Sequence, residues 1–345
     1  MNLLILTRYP TKGPSSRYRF LQYLADFDRA GFRFEVQPFF SDRYLDQMWG
    51  GKPISKLHVL GRYCQRLLTC LRAKRFDAVW LEGEMLPLVP ALLERGVYAL
   101  LPRARFYDFD DAVWLRYKNK PLLAEKYRTI LSGARGIVCG NPWLERYCRE
   151  VNDNLILVPT VVDWDKYAGA RAPLAGNTIG WIGSPNTLFF MENLYPGLAE
   201  LRKQNEFELH IVGAESRHDH LTIRSSPWRE EDEVGFIERF DIGVMPLERT
   251  EWAEGKCGLK MIQYMAAGVP AVASPVGVNR HYVEASGGGL LAENDAAWHD
   301  QLGKLLADQD LRKALGAAGR DYVQKNLTVS VQAPRLIDFF KQSLG

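Results

Sequence analysis

Lys256 and Lys260 stand four residues apart in the stretch EGKCGLKMIQYMAAGVPAVASPVGVN, which runs from Glu254 to Asn279. Ammonium groups at that spacing share one face of a helix. A helix's first turn adds unsatisfied N–H groups and positive partial charge. Together such groups suit a phosphate-bearing ligand. The same spacing also fits an ordinary amphipathic helix with solvated lysines. A second set lies in RYPTKGPSSRYR, residues 8–19, where Gly13, two serines, Arg8, Arg17 and Arg19 follow an apolar run. Carboxylates form a third set, at Glu82-Gly-Glu84 and Asp108-Phe-Asp-Asp111. Carboxylates at strand ends can hold a metal, act as a base or cap a helix. The D-x-D spacing is short enough to arise by chance. No GxGxxG follows the first run, no GK[ST] is present, and the five cysteines form no CxxC pair.

The elements that must position these groups alternate. Residues 2–7, 32–39, 77–81, 104–108 and 135–141 read as strands, and the apolar stretch 155–163 follows a helix for which Asn141 is N-cap and Pro142 the first residue. In residues 55–76, Leu57, Leu60, Leu67, Leu68 and Leu71 interleave with lysines and arginines. That pattern predicts a helix with its leucines on the core and its cations outward, or else a helix lying on a membrane surface. Composition turns to Ala, Gly, Pro and Arg over 165–177, a linker candidate. Strands resume at 178–183, 207–213, 241–246 and 269–274, and helices dominate from 296 onward. Strands alternating with helices in both halves predict an α/β fold of two Rossmann-like, doubly wound parallel sheets facing each other across a cleft.

The bulk properties agree with a chain of two domains. A length of 345 residues and an apolar fraction of 47% supply two cores. Net charge is +3, unevenly placed: residues 1–170 hold 26 Lys and Arg against 18 Asp and Glu, net +8, and residues 171–345 hold 18 against 23, net −5. A basic front half suits an anionic membrane surface, a lipid phosphate or an acidic glycan; nucleic acid is not among the expected partners. The cysteine pattern fits a reducing cytosol. No apolar stretch is long enough to span a membrane, so the expected location is cytoplasmic, with any contact at the membrane's inner face peripheral.

Several motifs together, GKCGLKMIQYMAAGVPAVASPVGVN, DIGVMPL, IGWIGSPNT, and GNPWLERY with VPTVVD, resemble those of GT4-type retaining glycosyltransferases, the group 1 family with the GT-B fold. The resemblance covers nearly the whole chain. It implies an N-terminal acceptor domain over 1–168, a C-terminal nucleotide-sugar domain over 169–330, and a last helix, 331–345, crossing back to the first domain. It implies no required metal or other cofactor. It implies a hexosyltransferase-like activity toward a glycan or lipid-linked acceptor in cell-envelope polysaccharide assembly. Two departures stand out. The family's glutamate pair falls where Gly255 and Gln263 stand. Its basic pair after the glycine matching Gly183 falls on residues 184–187, which carry no lysine or arginine.

The resemblance and the residues together give a mechanism. Lys256, Lys260 and the N–H groups of Gly183 and Ser184 would stabilise the departing nucleoside diphosphate. Gln263 can still bond the ribose hydroxyls without charge. Gly255, with Glu254 beside it, Cys257, Gly258 and Gly213 complete the donor loops, and Trp228 packs near the nucleobase or is a structural tryptophan. In the front half the loop from Gly13 to Arg19 lines the side opposite the donor: Arg17 neutralises donor phosphate or binds the acceptor, and Arg19 anchors the loop. Asp110 and Asp111 face the reaction centre, where Asp110 orients the acceptor or caps a helix; Glu82 and Glu84 share that ambiguity. Two other function classes remain: a GT-B-fold nucleotide-sugar epimerase and a non-catalytic nucleotide-sugar or glycan-binding protein. The six scattered histidines offer the epimerase no cluster.

Overall fold

The structure, a computed structural model, describes residues 1–169 and 174–345. The chain divides into two compact units. Unit 1 is Met1–Thr160 with Gly255–Cys257 and Gln332–Gly345; unit 2 is Val161–Glu254 with Gly258–Val331.

Unit 1 is built on β1 (Asn2–Leu6), β2 (Arg33–Val36), β3 (Ala78–Glu82), β4 (Ala104–Phe109), β5 (Gly136–Cys139) and β6 (Leu155–Leu157). They form one six-stranded sheet in the order β2-β1-β3-β4-β5-β6, parallel at every pairing. A parallel sheet with helices over its faces must be apolar on both sides. Accordingly β3, AVWLE, is buried along its whole length. The ring of Trp80 meets Phe20 at 4.4 Å and Phe27 and Phe340 at 5.3 Å. Phe340 comes from the terminal helix Val329–Leu344 and stacks on Phe106 at 4.1 Å. Burying each such ring stabilises the unit by roughly 1.5–3 kcal/mol.

Unit 2 is built on β7 (Thr178–Ile182), β8 (Glu208–Val212), β9 (Ile223–Ser226), β10 (Ile242–Met245), β11 (Ala271–Ala273) and β12 (Gly289–Leu291). Its order is β12-β11-β10-β7-β8-β9, again all parallel. Ile179, Trp181, Leu209 and Val244 pack with Trp298 and Leu302 of the helix Asp295–Ala307.

Four local expectations change. Strands β9 and β12 lie at the two edges of their sheet, where a strand needs only one partner; IRSS and GLL therefore lack a long apolar run. The linker expected at 165–177 lies partly at 170–173, outside the described residues. Its described start is a helical turn, Trp164–Tyr167, capped by the Asp163 side chain. The helix after Lys256 starts only at Leu259, because Gly258 takes a left-handed conformation, φ +70°, and leaves Lys256 in a loop.

The largest reversal is the helix Lys56–Leu71. Arg66 and Cys70 face inward, while its leucines face solvent. Arg66 can be inside because its guanidinium donates to the carbonyls of Thr7 (2.8 Å), Gln37 (3.2 Å) and Met85 (3.4 Å). Carbonyls facing both terminal nitrogens make the buried charge tolerable, although Arg66 Nε has no acceptor among the described residues.

Candidate functional site

In each sheet the strand order turns back on itself, and in open α/β sheets ligands bind beyond the carboxyl ends of the strands at that switch. In unit 2 the switch lies between β7 and β10. Gly183 and Ser184 leave β7 there; the segment after β10 leads, through the loop, to the helix Leu259–Ala266. Lys260 is that helix's second residue, and its side chain runs along Gly183. A side-chain carbon on Gly183 would sit 3.0 Å from Lys260 Cε. The Lys260 ammonium stands 5.4 Å from the centre of the Trp181 ring, a cation–π contact. The helix's first internal bond runs from Ile262 N–H to Gly258 O at 3.1 Å, which leaves the N–H groups of Leu259 and Met261 in the first turn without intrahelical acceptors.

Gly183 differs from expectation in one respect. Its N–H donates to Val212 O at 3.0 Å, so the amide is part of the sheet and is not open to a ligand. The next N–H, that of Ser184, has no acceptor among the described residues. Gly213 is required by geometry: φ is +93°, and a side-chain carbon would fall 2.2 Å from Gly183 O. Its other near neighbour is Trp228 Cβ at 3.4 Å, so Trp228 does reach these strand ends. The Trp228 indole N–H donates to Glu233 at 2.9 Å. Gln263 is buried, one turn beyond Lys260. Glu254, the neighbour of Gly255, accepts from Gly277 N–H at 3.0 Å.

In unit 1 the switch lies between β1 and β3. Glu82, at the end of β3, accepts from Arg8 N–H at 2.7 Å and from the Ser16 hydroxyl at 2.5 Å. Ser16 Oγ in turn accepts from Tyr9 N–H at 2.9 Å. Burial pushes the Glu82 carboxyl up, opposed by these bonds. Glu82 therefore shapes the arginine loop. Gly13 begins the helix Pro14–Arg19, and a side chain on it would collide with Tyr9, whose Cβ lies 2.3 Å from the place. The Arg17 guanidinium lies over the Tyr18 ring at 4.8 Å. Arg19 bonds Asp108 at 2.7 Å and Val158 O at 2.7 Å, an anchoring role. Burial raises Asp108 to about 6 despite Arg19. Glu84 is held by Lys126 at 2.6 Å and by the Tyr117 hydroxyl.

Beyond β4, Asp110 caps no helix: the next helical turn, Val113–Tyr117, is preceded by Ala112. Loss of hydration, then the charges of Asp111 and Glu82, push the Asp110 carboxyl well above the usual carboxylate range. Asp111 lies 3.3 Å from the Lys256 ammonium, a pair 30% and 23% exposed at its side chains. Cys257 is buried; its Sγ contacts Asp110 O at 3.2 Å and occupies the space a side chain on Gly140 would need. Burial raises its thiol, which suits a packing role more than a reactive one.

Asn141 caps its helix as the sequence predicts, but its second role escaped the sequence reading. Asn141 caps its helix through Oδ1, which accepts from Leu144 N–H at 2.8 Å. Its amide Nδ2 also donates to Gly255 O at 2.8 Å and Lys256 O at 3.1 Å. The available signal was chemical: an N-capping asparagine uses only its oxygen, leaving two donors to place.

A family model described as glycosyl transferases group 1 matches residues 176–308. Solved glycosyltransferase structures align over nearly the full chain. Sucrose-phosphate synthase (tll1590) from Thermosynechococcus elongatus aligns with 16% identity and a TM-score of 0.74, over 99% of this chain and 98% of that one. Anabaena Alr3699/HepE in complex with UDP aligns with 13% identity and a TM-score of 0.71, over 99% and 100%. WaaG, a glycosyltransferase involved in lipopolysaccharide biosynthesis, aligns with 14% identity and a TM-score of 0.66, over 98% and 99%. At these identities the likeness establishes the fold, which is GT-B. No curated protein sequence matches.

Proposed function

We propose that this chain transfers a sugar from a nucleotide-sugar donor to a glycan or lipid-linked acceptor, with retention at the anomeric carbon, in cell-envelope polysaccharide assembly. The observation that carries the donor half is the placement of Lys260. Its ammonium and the N–H groups of Ser184, Leu259 and Met261 gather where the strand order of unit 2 reverses. The stretch similar to group 1 glycosyl transferases spans this same region. Breaking a glycosidic bond to a nucleoside diphosphate builds negative charge on the leaving group. Fixed donors aimed at that charge speed the step because they bind it more strongly in the transition state. Gln263 is proposed to meet the ribose hydroxyls and Trp228 to pack near the base. Structural neighbours bound to UDP and to UDP-glucose favour a uridine nucleotide.

On the acceptor side, Asp110 is proposed to hold the attacking hydroxyl, with Gly13 and Arg17 shaping the loop. Lys256 is the second candidate cation. Its partly exposed bridge to Asp111 contributes only about 0–1 kcal/mol, so an anion can compete for it. The reaction is proposed to need no metal.

A donor-hydrolysis screen over UDP-, GDP- and ADP-sugars tests this reading. Slow release of a nucleoside diphosphate from one of them is expected. Binding of a nucleotide sugar without turnover, with any acceptor, would leave a binding protein instead.

A further inference from the structure

We propose that the helix Lys56–Leu71 is a docking surface for an anionic bilayer. The proposal is independent of the transfer reaction. Leu57 is 80% exposed, and Leu60, Leu68 and Leu71 are 58%, 59% and 61% exposed. At 100° per residue these four, with Cys64 and Leu67, fall within an arc of about 100° on the outer side of the helix. Soluble proteins seldom leave so much contiguous apolar surface in water without a use. The inward side is fixed by Arg66 and by Arg62, whose Nε donates to Phe39 O at 2.6 Å, so the leucines cannot rotate into the core.

The charge of the segment says what covers it. Residues 47–76 contain seven lysines and arginines and no aspartate or glutamate. On the helical wheel Lys56 and Arg72 border the leucine arc on either side, and both are exposed, as are Lys52 and Lys74. Among the described residues no carboxylate pairs with any of these four. An apolar stripe between cations is the pattern of a helix lying in a membrane interface, apolar face down, with its cations at the level of anionic headgroups. A second copy of the chain is a poor fit, because a two-fold contact through this stripe would set unpaired cations against their own images. Pairing helices usually carry acids among such cations. The apolar surface continues beyond the helix: Tyr63 donates to Pro87 O, and Leu88, Leu92 and Leu93 just after Pro87 are exposed.

The native chain supplies its own probe. Cys64 lies within the arc and is exposed, whereas Cys70, Cys139, Cys148 and Cys257 are buried. An environment-sensitive fluorophore on Cys64 of the full chain should shift to the blue with phosphatidylcholine vesicles containing phosphatidylglycerol, and be quenched by a quencher attached to the lipid chains. Affinity for these vesicles should exceed that for neutral ones by on the order of tenfold or more, and should fall with salt. Co-sedimentation of the unlabelled chain gives a second readout. Replacing Leu57, Leu60 and Leu68 by serine, or Lys56 and Arg72 by glutamate, should each reduce binding at least tenfold without altering donor hydrolysis. Equal binding to neutral and anionic vesicles would overturn the proposal. So would an unshifted fluorophore, or a concentration-dependent dimer that the serine variant abolishes.

Discussion

Lys260 and Lys256 share a chemistry but are held differently. Lys260 lies along Gly183 with its charge over Trp181; Lys256 is in a loop, bridged to Asp111. A well-placed donor to a developing anion is worth about 3–4 kcal/mol. Lys260→Ala should therefore lower turnover by about a hundredfold to a thousandfold, and a loss below tenfold would remove it from the mechanism. Asp110 carries a pH prediction. Its raised carboxyl keeps a proton to unusually high pH, and a protonated carboxyl can donate a hydrogen bond. If that donor holds the acceptor, activity is present below the raised pKa and lost as pH rises through it. Asp110→Asn, a donor at every pH, should flatten this limb, while Asp110→Ala should lose at least tenfold at all pH values. Near-wild-type transfer by Asp110→Ala would exclude the residue. At this scale the sequence offered types and spacing but not contacts. Burial of Cys257 against Gly140, and the use of the Gly183 amide by the sheet, depend on residues far away in the chain.

At the scale of elements, Asn141 joins a helix start to the loop that carries Lys256. Asn141→Ala removes the cap and the two bonds to the loop, and should cost about 2–3 kcal/mol. Asn141→Asp keeps the capping oxygen but turns an acceptor toward two carbonyls. It should lower turnover at least tenfold with a smaller loss of stability, measured by denaturant unfolding beside initial rates. Equal stability and rate to wild type would show that the loop needs no such tie. Most strands were legible because parallel strands buried on both faces read as nearly unbroken apolar runs, as in β1 and β3. The edge strands β9 and β12 lack that signal. The helix Lys56–Leu71 shows the limit of periodicity: a stripe gives the phase of a helix, not which side faces the core. Arg66 could be inside only because three carbonyls meet it there.

For the molecule as a whole, charge and topology divide the labour. The second sheet has the strand order of a dinucleotide-binding fold, and its switch lies within residues 176–308, the stretch similar to group 1 glycosyl transferases. The first half carries the surplus of positive charge and the uncovered leucines. The central claim is that unit 2 grips a donor's diphosphate through Lys260 and helix-start amides. Titration calorimetry with UDP and UMP, on the wild type and on Lys260→Ala, tests it most directly. The wild type should prefer the diphosphate at least tenfold, and the variant should lose most of that preference while binding UMP nearly unchanged. Equal affinity of wild type and variant for UDP would contradict the account.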